Sequence, residues 1–404
     1  IMGARRLPAV RAAVEIMKDE GVDTVFGCPG SALLPLYAAM ERTGGIAHLS
    51  AGHAEGATHM ADGWARTTGK VGVAAVAAGP GAVRLLSGLY AAQQDAVPLV
   101  CVTGREASAP QAPAVPLRHA GYRPPDLVRL AGAVTKRAER IEDPARIPGA
   151  FREAFRIARE GRPGPVLIDV PADLAAAEIV CGPVPVPPSA PGAGPALVDG
   201  VGSPAPGAVV PLVVPPDPAD AGTRWALAEL AEVFAARPAA DTYVVSGLPE
   251  VGAAGGDAAQ RHRVPRRSGP PGWEVPTAIG VRTALDSRGE RSAEVVVVVD
   301  GSGFPLTAGE LAAAAQYEVP FVVVLLGDPA EADPFTDPVK LAEAYGCAGR
   351  DVLDPAEFRS AVEWARKEAV STRRPVLVEV RTARAADAYD PVPVDPVSTR
   401  AYGT

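Results

Sequence analysis

EVVVVVDGSG, at residues 294–303, runs five valines into an Asp-Gly-Ser-Gly turn. A β-branched run of that length, closed by turn residues, reads as a strand buried on both faces. TAGELAAAAQYE (307–318) follows with helical spacing, and PFVVVLLGD (320–328) repeats the apolar run and again ends on an acid. Strand, helix and strand of these lengths form a βαβ unit with parallel strands. Asp300 and Asp328 then emerge at the same sheet edge, where open α/β sheets bind their ligands.

The same alternation extends outward in both directions. RWALAELAEVFAA (224–236), VPTAIGVRTAL (275–285), PVKLAEAYG (338–346) and residues 355–369 read as helices, and TYVVSG (242–247) and PVLVEVRT (375–382) as strands. Upstream, TVFGCPG (24–30), IAHLSAG (46–52), VGVAAVAAG (71–79), PLVCVTG (98–104) and PVLIDVP (165–171) read as buried strands. Alanine-rich helices at 54–66 and 82–94 lie between them. Glycine-rich turns are expected at CPGS (28–31), AGPG (78–81) and TGRE (103–106). Residues 181–222 lose all periodicity to proline and glycine and read as a linker. The expected fold is α/β, with two doubly wound parallel-sheet modules at 1–180 and 223–383, joined by that linker and followed by a Pro-rich tail at 384–404.

Composition narrows the class. At 404 residues, 48% of them apolar, the chain is long enough for two or three domains with sizeable cores. A net charge of −8 without a basic run argues against nucleic acid or an anionic membrane as partner. The four cysteines, Cys28, Cys101, Cys181 and Cys347, lie far apart with no metal-ligand spacing, so they read as unpaired thiols of a cytoplasmic protein. The opening residues read as a first helix rather than a signal peptide, and the apolar runs at 294–299 and 320–326 are too short to span a bilayer.

Two carboxylates and a backbone carbonyl at one sheet edge suit an octahedral Mg²⁺ bridging a diphosphate, and Gly301 lets the backbone come close to the phosphate. An Asp closing a strand is equally a turn former or helix cap. His53 and His59, with Asp62 nearby, suggest either a metal or proton relay or a structural pair beside a ligand.

Segments FGCPGSALLPLYAAM (26–40), HAEGATHMADGWAR (53–66), AGPGAVRLLSGLYAAQQDAVPLVCVTG (78–104) and FRIAREGRPGPVLIDVPADL (155–174) resemble the pyrimidine-binding domain of the thiamine-diphosphate-dependent acetolactate synthase-type family. SGPPGWEVPTAIG (268–280) and the 299–328 unit resemble its diphosphate-binding domain. In detail, 53–66 and 269–280 are more similar to glyoxylate carboligase. The resemblance covers 5–180 and 223–383, and the Pro/Gly linker stands where family members carry a middle domain. It implies thiamine diphosphate and Mg²⁺ as cofactors and a homodimer with each cofactor between the first module of one chain and the second of the other. Asp300, Asp328 and Ala330 become the metal set. Pro29, Gly30, Gly79, Gly81, Gly247, Leu248, Gly269, Pro271, Gly301, Ser302 and Gly327 become cofactor neighbours.

Several positions depart from the family's pattern. Ala54 stands where most members have the glutamate that hydrogen-bonds the cofactor's pyrimidine. Glu55 is next along, about 100° around the helix, and is not expected to substitute. Glyoxylate carboligase also carries an apolar residue there and is active. Asp328 replaces the second Asn of an Asn-Asn pair, with Gly327 at the first, and Gly303 is a one-residue insertion. Pro271 takes the place of the wedge that bends the cofactor, Ala78 that of a hydroxyl residue, and Pro249 that of a polar donor. Tyr122 and Arg123 replace a Phe-Gln pair, and Arg123 is either a carboxylate anchor or a solvated surface arginine.

The resemblance implies a carboligase or decarboxylase acting on a small 2-oxo acid through a cofactor-bound acyl anion. His53, Ala54, Glu55, Tyr122 and Arg123 would line the reacting region, and an aldehyde or second 2-oxo acid would serve as acceptor. The alternative is a degenerate homologue without thiamine chemistry, serving as a partner subunit or holding another ligand in the cleft. The heavy use of alanine, glycine, proline and arginine suggests a GC-rich bacterial source.

Overall fold

A computed structural model of the chain describes residues 5–105, 125–181, 221–235, 242–248, 262–264, 269–327 and 336–381. The first module begins β1 (Arg5–Pro8), α1 (Ala9–Asp19), β2 (Thr24–Cys28), α2 (Leu34–Thr43), β3 (Ala47–Ser50), α3 (Ala54–Thr68), β4 (Gly72–Ala77) and α4 (Leu85–Gln94). It continues β5 (Leu99–Arg105), α5 (Leu127–Ala131), β6 (Arg137–Arg140), α6 (Ile147–Arg159), β7 (Pro165–Pro171), α7 (Ala172–Ala176) and β8 (Glu178–Cys181). The second module opens α8 (Ala221–Ala235), β9 (Thr242–Ser246), β10 (His262–Val264), α9 (Glu274–Ser287), β11 (Glu294–Asp300) and α10 (Phe304–Thr307). It closes α11 (Glu310–Gln316), β12 (Val322–Gly327), α12 (Pro338–Ala344), β13 (Ala348–Val352), α13 (Phe358–Thr372) and β14 (Val376–Arg381).

Each module holds a six-stranded parallel sheet, in the orders β3-β2-β4-β5-β7-β6 and β10-β9-β11-β12-β14-β13. Counted along the chain, both orders are second, first, third, fourth, sixth, fifth. The two sheets are topological copies. In each, the winding direction reverses between the first and third strands, and ligands of doubly wound folds bind outside the carboxyl ends at that reversal.

Alternating residues send their side chains to opposite faces, so each sheet feeds two cores. Val25, Val73, Val100 and Ile168 face α1, α2 and α6, while Val244, Val296, Val324 and Val378 face α8 and α13. Phe26, Ala74, Leu99 and Val297 join a third core that runs unbroken through α3 and α9, so the modules share their largest hydrophobic cluster. The two helices cross at glycines. A β-carbon on Gly63 would lie 2.2 Å from the Thr277 carbonyl oxygen, and one on Gly280 would lie 1.9 Å from that of Met60.

Several sequence expectations need correction. TGRE is no turn as far as it is described, because β5 continues through Arg105. The first helix starts at Ala9, and Arg5–Pro8 before it form β1, which pairs antiparallel with β8 from Arg5↔Cys181 to Pro8↔Glu178. The helix expected at 82–94 begins as a 3-10 turn at Pro80–Arg84 before α4. The helix expected at 307–318 is broken at Ala308–Gly309 into α10 and α11. The linker proposed at 181–222 meets structure at both ends, in β8 and α8; its body, and the tail from 384, lie outside the described residues. No helix among the described residues is long and apolar enough to cross a membrane.

Candidate active site

The first module's candidate site residues cluster at the start of α3. His53 is its N-cap, in extended conformation, and its Nδ1 accepts the Gly56 N–H at 3.0 Å. Ala54, the first helical residue, is buried in the shared core, and its carbonyl accepts the Thr58 hydroxyl at 2.9 Å. Glu55 turns to the neighbouring helix, where Ser87 Oγ donates to its Oε1 at 2.7 Å and His59 Nε2 lies 3.8 Å away. His59, and then Ser87, hold the Glu55 carboxyl below its ordinary range against the opposing effect of burial. Asp62 belongs elsewhere, bound by Arg66 at 2.5 Å, and Arg66 also binds Asp95 at 2.6 Å. Among the described residues no group of three or more His, Cys, Asp or Glu is arranged to hold a metal.

The strands flanking the first sheet's reversal point end at Cys28 and Ala77. Pro29 is exposed beside them. Gly30 is required by packing, since a β-carbon there would meet that of Ala77 at 2.5 Å. Gly79 and Gly81 are different: β-carbons there would meet nothing within 4 Å. The Ala78 N–H donates to the Gly104 carbonyl at 2.6 Å and ties this turn to β5.

At the second sheet's reversal point, β9 and β11 end in Ser246 and Asp300. Asp300 Oδ1 accepts Ser302 N–H at 3.0 Å, Ser302 Oγ–H at 2.6 Å and Gly303 N–H at 3.0 Å, so one oxygen organises the turn. The residue is exposed, and a β-carbon on Gly301 would face open space. Gly303 packs on the GPPG turn at its buried last residue: its β-carbon would lie 2.8 Å from Gly272 N, and Thr307 Oγ donates to the Gly272 carbonyl at 2.5 Å. Pro271 and Gly269 sit exposed in that turn. Gly247 lies beneath Glu274, whose Oε1 is 2.5 Å from the position of a β-carbon there, and the Leu248 N–H donates to Ser246 Oγ at 3.2 Å. Gly327 ends β12 beside the buried Glu379, whose Oε1 is 3.7 Å from its β-carbon position. Tyr122, Arg123, Asp328, Ala330 and Pro249 lie outside the described residues.

One residue was missed in the sequence. Glu310 opens α11 in the second module, yet its Oε2 accepts the Gly52 N–H at 2.9 Å and its Oε1 the His53 N–H at 3.3 Å, at the start of α3. The only trace it leaves in sequence is a lone acid in front of LAAAA, on a helix otherwise apolar enough to be buried.

Residues 9–125 match the thiamine pyrophosphate enzyme N-terminal TPP binding domain, and 257–330 match the corresponding C-terminal TPP binding domain. Glyoxylate carboligase of Escherichia coli O157:H7 is 41% identical over 175 residues, covering 43% of this chain and 28% of that protein. The acetolactate synthase large subunit of Lactococcus lactis subsp. lactis (strain IL1403) is 40% identical over 166 residues, covering 41% of this chain and 28% of that one. The matched part is thus little more than a quarter of either curated relative. In fold, the chain resembles the Rhodococcus jostii RHA1 thiamine diphosphate-dependent 4-hydroxybenzoylformate decarboxylase, with TM-score 0.67, 17% identity, and coverage of 94% of this chain and 99% of that one. The first module thus matches the N-terminal TPP-binding domain of thiamine pyrophosphate enzymes, and the second module matches their C-terminal TPP-binding domain.

Proposed function

We propose that the chain is a Mg²⁺- and thiamine-diphosphate-dependent enzyme that decarboxylates a small 2-oxo acid. It then releases the aldehyde or joins the acyl group to a second carbonyl compound. In this reading it works as a cytoplasmic homodimer, with each site between the first module of one chain and the second of its partner. The observation that carries it is the Asp300 turn: an exposed carboxylate beside an unobstructed glycine, at the reversal point of the second sheet.

The residues fit the cofactor's metal–diphosphate end. Asp300 commits one oxygen to its own turn and presents its charge at the surface for Mg²⁺, and the space over Gly301 admits a phosphate close to the backbone. Gly79 and Gly81 leave similar room on the first module. When bound, thiamine diphosphate supplies the electron sink for breaking and making the bond at the 2-oxo carbon. Around it this chain offers shape more than acid/base help, since Ala54 holds no proton and Glu55 is committed to Ser87 and His59.

That last observation favours a second reading, a homologue without thiamine chemistry that serves as a partner subunit or holds another ligand. Calorimetric titration with thiamine diphosphate and Mg²⁺ separates the two. Binding that Asp300→Asn abolishes supports the enzyme. No heat and no thermal stabilisation at millimolar cofactor defeats it. If the cofactor binds, glyoxylate and pyruvate are the first substrates to assay.

A further inference from the structure

Glu310 has a side chain fully shielded from solvent, and among the described residues no lysine or arginine pairs with it. A buried carboxylate without a cation is costly unless something else uses its charge. Both of its oxygens serve the other module, taking the Gly52 and His53 N–H groups, and His53 Nε2 stands 3.7 Å from Oε1. Gly56 completes the socket, because a β-carbon there would lie 2.0 Å from Oε1.

We propose that Glu310 is a positioning residue for the first module's site. Reaching across the module boundary, it fixes the first turn of α3, which carries Ala54 and Glu55, and it governs that turn through one exchangeable proton held on its own carboxyl and not on His53.

The location of the proton follows from the cap. His53 Nδ1 accepts the Gly56 N–H, so the neutral ring carries its hydrogen on Nε2, the nitrogen that faces Glu310. A second ring proton would have to go on Nδ1 and would end the N-cap, whereas a proton on Glu310 leaves the cap intact. The surrounding groups agree. Burial pushes the Glu310 carboxyl up to about 7, against the pull of the two N–H donors. Burial, then the Arg84 guanidinium, hold His53 below its ordinary range, with Glu55 opposing. Cys28, facing Glu310 from β2, is pushed up to about 11 by burial and stays a neutral thiol.

When ionised, Glu310 gives both N–H donors a charged acceptor and places a negative charge at the positive end of α3. When protonated, it turns one acceptor site into a donor and loosens the turn. The inference rests on the proposed function for what α3 positions, but not for the proton itself.

Nitrogen NMR of the histidine rings in the full-length chain, between about pH 5.5 and 8.5, tests it. The expected result is a His53 ring that keeps the Nε2–H tautomer throughout, with a shift inflection near 7 that Glu310→Gln removes. Amide exchange at Gly52 and His53 should lose roughly fivefold in protection below the inflection in the native chain, and stay flat in the variant. A ring that gains its second proton at the inflection, or an inflection that survives in Glu310→Gln, overturns the proposal. Should Glu310→Gln not fold, the tautomer of the native chain decides alone. Calorimetry run beside it keeps the two readings apart: no cofactor binding in either protein counts against the proposed function only.

Discussion

Glu310 Oε1 occupies the space that a side chain on Gly56 would fill, 2.0 Å from the position of its β-carbon. A carboxylate of one module and the missing side chain of the other thus define a single joint. Gly56→Ala should destabilise the chain by ~1–3 kcal/mol despite alanine's better helix propensity, because the displaced acid is buried. Denaturant midpoints measure this, and a variant as stable as the native chain contradicts the joint.

Complete unfolding has the opposite pH dependence to the local turn, because it relieves the cost of burying the Glu310 charge, which outweighs the charge's grip on the two N–H groups. The Glu310 carboxyl is raised from 4.5 to about 7, so the folded state holds its proton more tightly than the unfolded state. Its contribution is fully present below about 4.5 and is lost as pH rises through about 7, a span worth roughly 3 kcal/mol. Unfolding free energies from about pH 4.5 to 8 should fall in the native chain and fall less in Glu310→Gln. Equal slopes would mean that Glu310 titrates normally.

Gly280→Ala should be worse tolerated than Gly56→Ala, because the atom 1.9 Å from its β-carbon is the Met60 backbone oxygen and not the end of a side chain. Separation of α3 from α9 opens the largest core, so a loss at or above the ~1–3 kcal/mol of ordinary overpacking is expected. Thermal unfolding of the two variants side by side checks the order.

Asp300→Asn and Asp300→Ala should part company. The amide oxygen still accepts from Ser302 and Gly303, so the Asn variant keeps its turn and its stability while losing the charge for a metal. The Ala variant loses both and should also be less stable by about 1 kcal/mol. Calorimetry with Mg²⁺ and cofactor, paired with denaturation, distinguishes charge from scaffold.

Cys101 and Cys347 are both pushed up to about 12 by burial and should resist alkylation at mildly alkaline pH until the chain unfolds. Mass spectrometry of iodoacetamide-treated protein reads this directly, and rapid labelling of either in the folded chain would contradict the packing.

The inner strands were legible because burial on both faces leaves continuous Val, Ile and Leu runs, as at 295–299 and 322–326. The edge strands β6 and β13 were not, since RAER and AGRDV bury little and carry no run to read. The Asp300 turn was readable as a local pattern of turn residues. Glu310 was not, because its partners Gly52 and His53 lie more than 250 positions away and a lone acid does not name them.

Sequence by itself determined two α/β modules and the order of their inner strands and main helices, since strand runs, helical spacing and turn residues are local properties with local causes. It also determined the likeness to thiamine enzymes, through motifs that each sit within a single turn or helix. Only the tertiary structure decided that both sheets share one strand order, that α3 and α9 meet at Gly63 and Gly280, and that Glu310 of the second module accepts the Gly52 and His53 N–H groups at the start of α3. Those facts depend on which surfaces meet when the shared core forms, and a carboxylate's partner is chosen by that packing and not by its neighbours in the chain.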